Sequence, residues 1–189
     1  MMRQPPSAGA PIDASGPQRL DGKIELSAYD PRWPAQFEQA ASRIRGALPG
    51  TALAVEHVGS TSVPGLMAKP VIDIVLAVAE SAQEQSYAPA LQAAGFLLAI
   101  REPDWFEHRL FRGAGPAVNL HVFSAQCPEV ERMIGFRDWL RTSPTDLALY
   151  AETKRRLALE DWAYMQDYAD AKQGVIGEIM ARATGRAGA

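Results

Sequence analysis

The stretch HVGSTSVPGLMAKPVIDIVLAV, from His57 to Val78, constrains the fold of this chain more than any other segment. Val55–Val58 is short and bounded by β-branched valines, and Val71–Val78 is a longer β-branched run, so both read as buried strands. Between them Gly59 permits a backbone conformation closed to other residues, and Ser60, Thr61 and Ser62 follow directly. A glycine followed by hydroxyls at a strand end can wrap a phosphate with backbone N–H groups. A single carboxylate, Asp73, interrupts the second apolar run. In such a run it needs a hydrogen-bond partner, a cation or a metal. Together these features describe a nucleotide or metal–phosphate site.

Composition narrows the function classes. With 189 residues, 47% of them hydrophobic, the chain can build a full-sized core without covalent staples. The reading is one domain over residues 23–189, preceded by a disordered extension over 1–22 that is rich in Pro, Gly, Ala and Ser. A lone cysteine, Cys127, excludes an intramolecular disulfide and fits a small buried space. A net charge of −3 speaks against general nucleic-acid binding, which needs a basic surface. No apolar run approaches the roughly 18 residues of a membrane span, and the first residues lack the apolar core of a secretory signal. The expectation is a soluble cytoplasmic protein with no membrane partner.

The remaining pattern predicts an α+β fold. Ile24–Leu26 reads as a short opening strand. A helix over 34–48 places Phe37, Ala40, Ala41, Ile44 and Leu48 on one face. A weaker helix is expected over 79–94, irregular around Pro89, and Phe96–Ile100 reads as a short strand or an apolar connection. Residues 105–112 and 117–123 form an expected antiparallel hairpin joined by a loop of about four residues around Gly113–Pro116. Helices follow over 128–140 and from Ser143, an N-cap with Pro144 behind it, with a break near Gln166–Asp170 before a closing helix. Arg109 and Arg112 give the first hairpin strand a basic face. Arg137, Lys154 and Lys172 come from the helical half and are placed to close over phosphates.

Six collinear segments carry a family resemblance: YDPRWP (29–34), EHVGSTSVPGLMAKPVIDI (56–74), NLHVF (119–123), FRDWLRTSP (136–144), YAETKRRLA (150–158) and the pair Tyr168 and Lys172. In this order they resemble the GrpB-like family, whose members are similar to the polymerase-beta-type nucleotidyltransferases. The resemblance implies a nucleotidyltransferase-like mixed β-sheet flanked by helices, with further helices at the C-terminal end. It also implies Mg²⁺-dependent binding of a nucleoside triphosphate and transfer of a nucleotidyl group to a small acceptor. In that superfamily a Gly-Ser turn precedes a strand bearing two carboxylates, two residues apart, that hold the metals. Gly59, Ser60 and Asp73 match, whereas position 75 is Val75.

The resemblance therefore assigns Asp73 to catalysis and to Mg²⁺. His121 stands on a later strand, where the superfamily often carries a third acid, and is the best replacement for the missing carboxylate. Gly59, Ser60, Thr61, Lys69, Arg109 and Lys172 are the expected substrate contacts. His57 and His121 could lie near Asp73 across the sheet, with Glu102, Asp104 and Glu107 as acidic alternatives. The same module occurs fused to dephospho-coenzyme A kinase in some bacteria, which points toward adenine nucleotides. The alternative function is a non-catalytic nucleotide- or coenzyme A-related binding module, which Val75 favours. A protein that keeps the fold for structural or interaction purposes is the third reading.

Overall fold

The computed structural model describes residues 20 and 23–185, so nearly all of the expected N-terminal extension lies outside the described residues. Five strands form one mixed sheet: β1 (Ala54–Val58), β2 (Ile72–Val78), β3 (Phe96–Glu102), β4 (His108–Gly113) and β5 (Val118–Ser124). Their order is β1-β2-β5-β4-β3. β2 and β5 run parallel, and the other neighbouring pairs are antiparallel. β2 is paired on both edges and covered along most of both faces, which explains its nearly unbroken apolar run.

Helix α1 (Trp33–Ala47) begins at Pro34 in its first turn and buries Phe37, Ala40, Ala41 and Ile44. These pack with Ile72, Ile74 and Leu76 of β2, Leu120 and Val122 of β5, and Leu91 of the short α2 (Ala88–Ala93). The opposite face is split. Val75 and Phe123 are fully buried with Val58 against Cys127 and Val130 at the start of α3 (Pro128–Thr142). Nearer the start of the two central strands, that same face carries Asp73, Asn119 and His121.

The C-terminal helices α4 (Pro144–Ala158), α5 (Met165–Asp170) and α6 (Gln173–Ala183) bring a second apolar layer. Tyr150 and Ile179 pack with Leu140 of α3 and with Val63 and Leu66 of the β1–β2 connection. Ser143 caps α4 by accepting from the Asp146 N–H at 3.4 Å. The Asp146 carboxylate in turn accepts from Trp139 Nε1 and the Arg182 guanidinium, both at 2.7 Å, and so ties α3, α4 and α6 together.

The helices expected at 34–48 and 128–140 and the hairpin loop between β4 and β5 are found with small shifts. Several expectations need correction. Ile24–Leu26 forms no strand; the chain makes an isolated bridge between Ser27 and Ala68, and Ile24 instead enters a cluster with Leu157 and Tyr168. The 79–94 helix shrinks to a 3-10 turn (Glu84–Ser86) and α2, with Pro89 in the first turn of α2 rather than interrupting a longer helix. Phe96–Glu102 is a full edge strand whose register shifts between Leu98 and Ile100. The strand expected from Trp105 starts only at His108, because Phe106 and Glu107 adopt left-handed backbone angles, φ 54° and 51°. Gln166–Asp170 is itself helical, and the break expected there falls on either side of it, at 159–164 and at 171–172 just before the closing helix.

Candidate functional site

β1 ends at Val58, opposite Asp73, and the chain turns immediately into a single 3-10 turn, Ser60–Ser62. Gly59 takes φ 67° there, and a side chain at this position would start 2.4 Å from Asp73 Oδ2. Glycine is therefore required twice over, by backbone angle and by the carboxylate lying against it. Asp73 Oδ1 accepts from Asn119 Nδ2 at 3.0 Å and lies 3.9 Å from His121 Nε2. Burial works against the ionised Asp73, but His121, the Asn119 amide and the Lys172 charge outweigh it, holding the carboxyl below its ordinary range.

Cations surround this one acid. The chain has four lysines, Lys23, Lys69, Lys154 and Lys172. The last three all feel the Asp73 charge, yet no lysine forms a salt bridge among the described residues, where arginines and histidines make the ion pairs. Lys154 is 2% exposed and donates to the Met67 carbonyl. Lys69 Nζ has a thioether, Met165 Sδ at 3.0 Å, as its hydrogen-bond partner. Lys172 Nζ sits 3.9 Å above the Tyr168 ring. Burial is the main cause that lowers all three ammonium groups, Lys154 to about 7 and Lys172 to about 8. Arg112 adds a further charge, in the same cross-strand row as Asn119 and Asp73 and close enough to act on Lys69.

Two tyrosines complete the wall. Ser60 lies beside the Tyr150 hydroxyl, and burial raises that phenol beyond its ordinary range. Tyr168, 3% exposed, keeps a buried hydroxyl with no hydrogen-bond partner among the described residues. A polar atom in that state is an unmet requirement for a donor or acceptor.

Gly59, Ser60, Asp73, His121, Lys69 and Lys172 are thus drawn to one region. Other expected contacts are not. Arg109 stands three residues from Arg112, so the two point to opposite faces and no single basic face exists. Arg109 is buried on the α2 side, donating to Glu84 at 2.6 Å and Glu107 at 3.0 Å. The Thr61 hydroxyl is consumed inside the turn, donating to the Val71 carbonyl and accepting from His57 Nε2 at 3.0 Å. His57 faces α1, stacked on Phe37, and burial lowers it to about 4; it cannot join His121 around Asp73. Arg137 is engaged by Glu56, Asp138 and the His57 carbonyl. Cys127 is buried, and burial raises its thiol.

Mg²⁺ fits this donor set poorly. Asp73 is the one carboxylate at the site, Val75 is sealed in an apolar cluster, and the neighbours are ammonium groups. No group of three His, Cys, Asp or Glu suited to a metal occurs among the described residues. Hard cations are held chiefly by carboxylate oxygens, and Asp73 alone supplies them here among the described residues. Of two hollows of about 480 and 400 Å³, the first lies between α1 and α3 and the second borders the site at Lys69; Asp73 lines neither.

Sequence reasoning missed Asn119, Tyr150, the Tyr168 hydroxyl and the histidine pair His108–His121. Signals were present for three of these: Asn119 opens NLHVF, Tyr150 opens YAETKRRLA, and Tyr168 stands four residues before Lys172.

Comparisons with known proteins agree with this architecture. A UPF0157 protein of Halalkalibacterium halodurans is 55% identical over 163 residues, covering 86% of this chain and 84% of that protein. A dephospho-CoA kinase of Mycolicibacterium paratuberculosis is 31% identical over 158 residues, which span 70% of this chain and 39% of that longer protein. The crystal structure of the conserved protein GrpB from Enterococcus faecalis superposes with a TM-score of 0.69 at 30% identity, covering 84% of this chain and 98% of that one. No helix among the described residues is long and apolar enough to cross a membrane. The GrpB protein family model matches residues 23–182, and the chain belongs to that family.

Proposed function

We propose that this protein binds a phosphate-bearing small molecule, a nucleotide or coenzyme A-related compound, over Gly59, Ser60 and the lysine cluster, without a resident metal. The observation that carries the reading is the gathering of Lys69, Lys154 and Lys172 around a single acid with no salt bridge. Burying several ammonium groups against Asp73, with the exposed Asp170 as a weaker second acid acting on Lys172, leaves positive charge that a phosphate chain neutralises. The partnerless Tyr168 hydroxyl offers a donor to the same ligand. That a longer relative, matched over 39% of its own length, is named a dephospho-CoA kinase supports an adenine nucleotide or coenzyme A as the class to test first.

Mg²⁺-dependent nucleotidyl transfer is the second reading, favoured by the placement of the Gly59 turn against Asp73. The sealed position of Val75 ranks it below binding alone. Calorimetric titration with ATP, dephospho-coenzyme A and coenzyme A, each with and without Mg²⁺, separates the two. The proposal expects binding that persists in a chelator. Binding only with Mg²⁺, or no binding to any of the three, contradicts it.

A further inference from the structure

A line of four ionisable side chains runs across the sheet from its edge to Asp73. The Glu102 carboxylate on β3 meets His108 Nδ1 at 2.7 Å, His108 Nε2 meets His121 Nδ1 at 3.1 Å, and His121 Nε2 faces Asp73 Oδ1 at 3.9 Å. His108 is 3% exposed and lies against Trp105 and Phe123, so its ring is fixed. Neither the anion-binding reading nor the packing of the core accounts for this arrangement.

Hydrogen-bond direction along the line is determined. A carboxylate only accepts, so His108 Nδ1 carries the hydrogen. Burial is the main influence on His108 and lowers it to about 4, so its ring is neutral near pH 7 and Nε2 is a bare lone pair. That lone pair can only accept, which places the hydrogen of His121 on Nδ1. With its hydrogen on Nδ1, the neutral form of His121 has a bare Nε2 on the open face, where the residue is partly exposed. The 3.9 Å gap to Asp73 is too long for a hydrogen bond but suits one donor group bound between two acceptors.

We infer that His121 Nε2 accepts the proton of a hydroxyl or amine group of a bound ligand seated between it and Asp73, and that His108 and Glu102 position it for this role. The step is a simple transfer. The ligand's O–H or N–H bond breaks, its electron pair stays on oxygen or nitrogen, and the proton forms a bond to Nε2. Asp73 at 3.9 Å on one side, and Glu102 through His108 on the other, stabilise the resulting imidazolium, against the opposing charge of Lys172 beside Asp73 and of Arg112 on β4. The reading rests on the anion-binding proposal only for what delivers the ligand, with its phosphates on the lysines and its donor group at His121.

The test needs no ligand. Long-range ¹H–¹⁵N spectra of the full chain near neutral pH report which nitrogen of each imidazole carries hydrogen. His121 and His108 are both expected to be protonated at Nδ1 and bare at Nε2. In Glu102→Gln the amide can donate as readily as it accepts, so the fixed direction is released. His121 should then populate both tautomers, while the amide spectrum stays that of the folded protein. A wild-type His121 that carries its hydrogen on Nε2 overturns the proposal, and this outcome is independent of whether any variant folds. An unchanged His121 tautomer in folded Glu102→Gln overturns the positioning role. Either failure would leave chelator-resistant ATP binding untouched, so the two readings fail separately.

Discussion

Asp73 decides between the two chemistries on offer at this site. As a metal ligand it would attract a phosphate through the cation; beside unpaired lysines it competes with the phosphate for them. The sign of one substitution follows. Asp73→Asn keeps the shape and an acceptor oxygen near Asn119 while removing the charge. Titration with ATP in chelator should show affinity equal to or tighter than that of the wild type. A loss of tenfold, about 1.4 kcal/mol, would instead mark Asp73 as a ligand of a metal carrier. Much of this neighbourhood is legible in the sequence, because Gly59, Asp73, Lys69 and Lys172 stand in spaced motifs. Period-2 alternation also misleads when it is not applied: Arg109 and Arg112 are three apart, so the chain aims them to opposite sides. The Glu102–His108–His121 line is invisible in one dimension, since it depends on how three separate strands align.

At the scale of elements, the site depends on helices that never touch its strands by sequence. Tyr150 and Lys154 come from α4, and Tyr168 and Lys172 come from α5 and its junction with α6. Asp146 anchors this layer through Ser143, Trp139 and Arg182, and these bonds, Arg182 first, hold its carboxyl below the ordinary range despite burial. Asp146→Ala leaves the Ser143 cap its backbone N–H but orphans two donors, Trp139 Nε1 and the Arg182 guanidinium. Chemical denaturation should show about 2–4 kcal/mol lost; a change within about 0.5 kcal/mol, the usual range for inconsequential surface positions, would disprove the anchoring role. Pro144 behind Ser143 made the start of α4 readable in the sequence. The limits of α2 were not, because the 79–94 window is only weakly periodic and its first half is held by turn geometry around Glu84–Ser86.

For the whole molecule, burial leaves a signature in the dependence of stability on pH. His57 and His108 sit near 4 when folded and near 6.5 when unfolded, so between those values the unfolded chain binds more protons. Stability should fall as pH drops from about 6.5 to 4, with up to two protons taken up on unfolding, a slope of at most about 2.7 kcal/mol per pH unit. Lys154 and Lys172 act in the same direction in another window. Their folded values near 7 and 8 lie below the unfolded 10.5, so stability should rise as pH climbs from about 7 until the raised phenols Tyr87, Tyr150 and Tyr168 reverse the trend above about 10. Melting curves across this range check both windows; a flat profile between pH 7 and 10 would mean that burial does not displace the titration of these lysines.

The same displaced lysines give the most direct measurement of the central claim. A phosphate ligand stabilises their charged forms, so its binding must draw protons from solvent at pH 8, where Lys172 is about half protonated and Lys154 mostly neutral. Calorimetry of ATP binding at that pH, in two buffers of different ionisation heat and without Mg²⁺, reads this uptake. The account predicts net proton uptake in the wild type. In Lys172→Met, which keeps the apolar stem over Tyr168, it predicts at least about tenfold weaker binding and a smaller uptake. Binding without proton uptake, with affinity unchanged in a folded Lys172→Met protein, would show that the lysine cluster is not where phosphate binds.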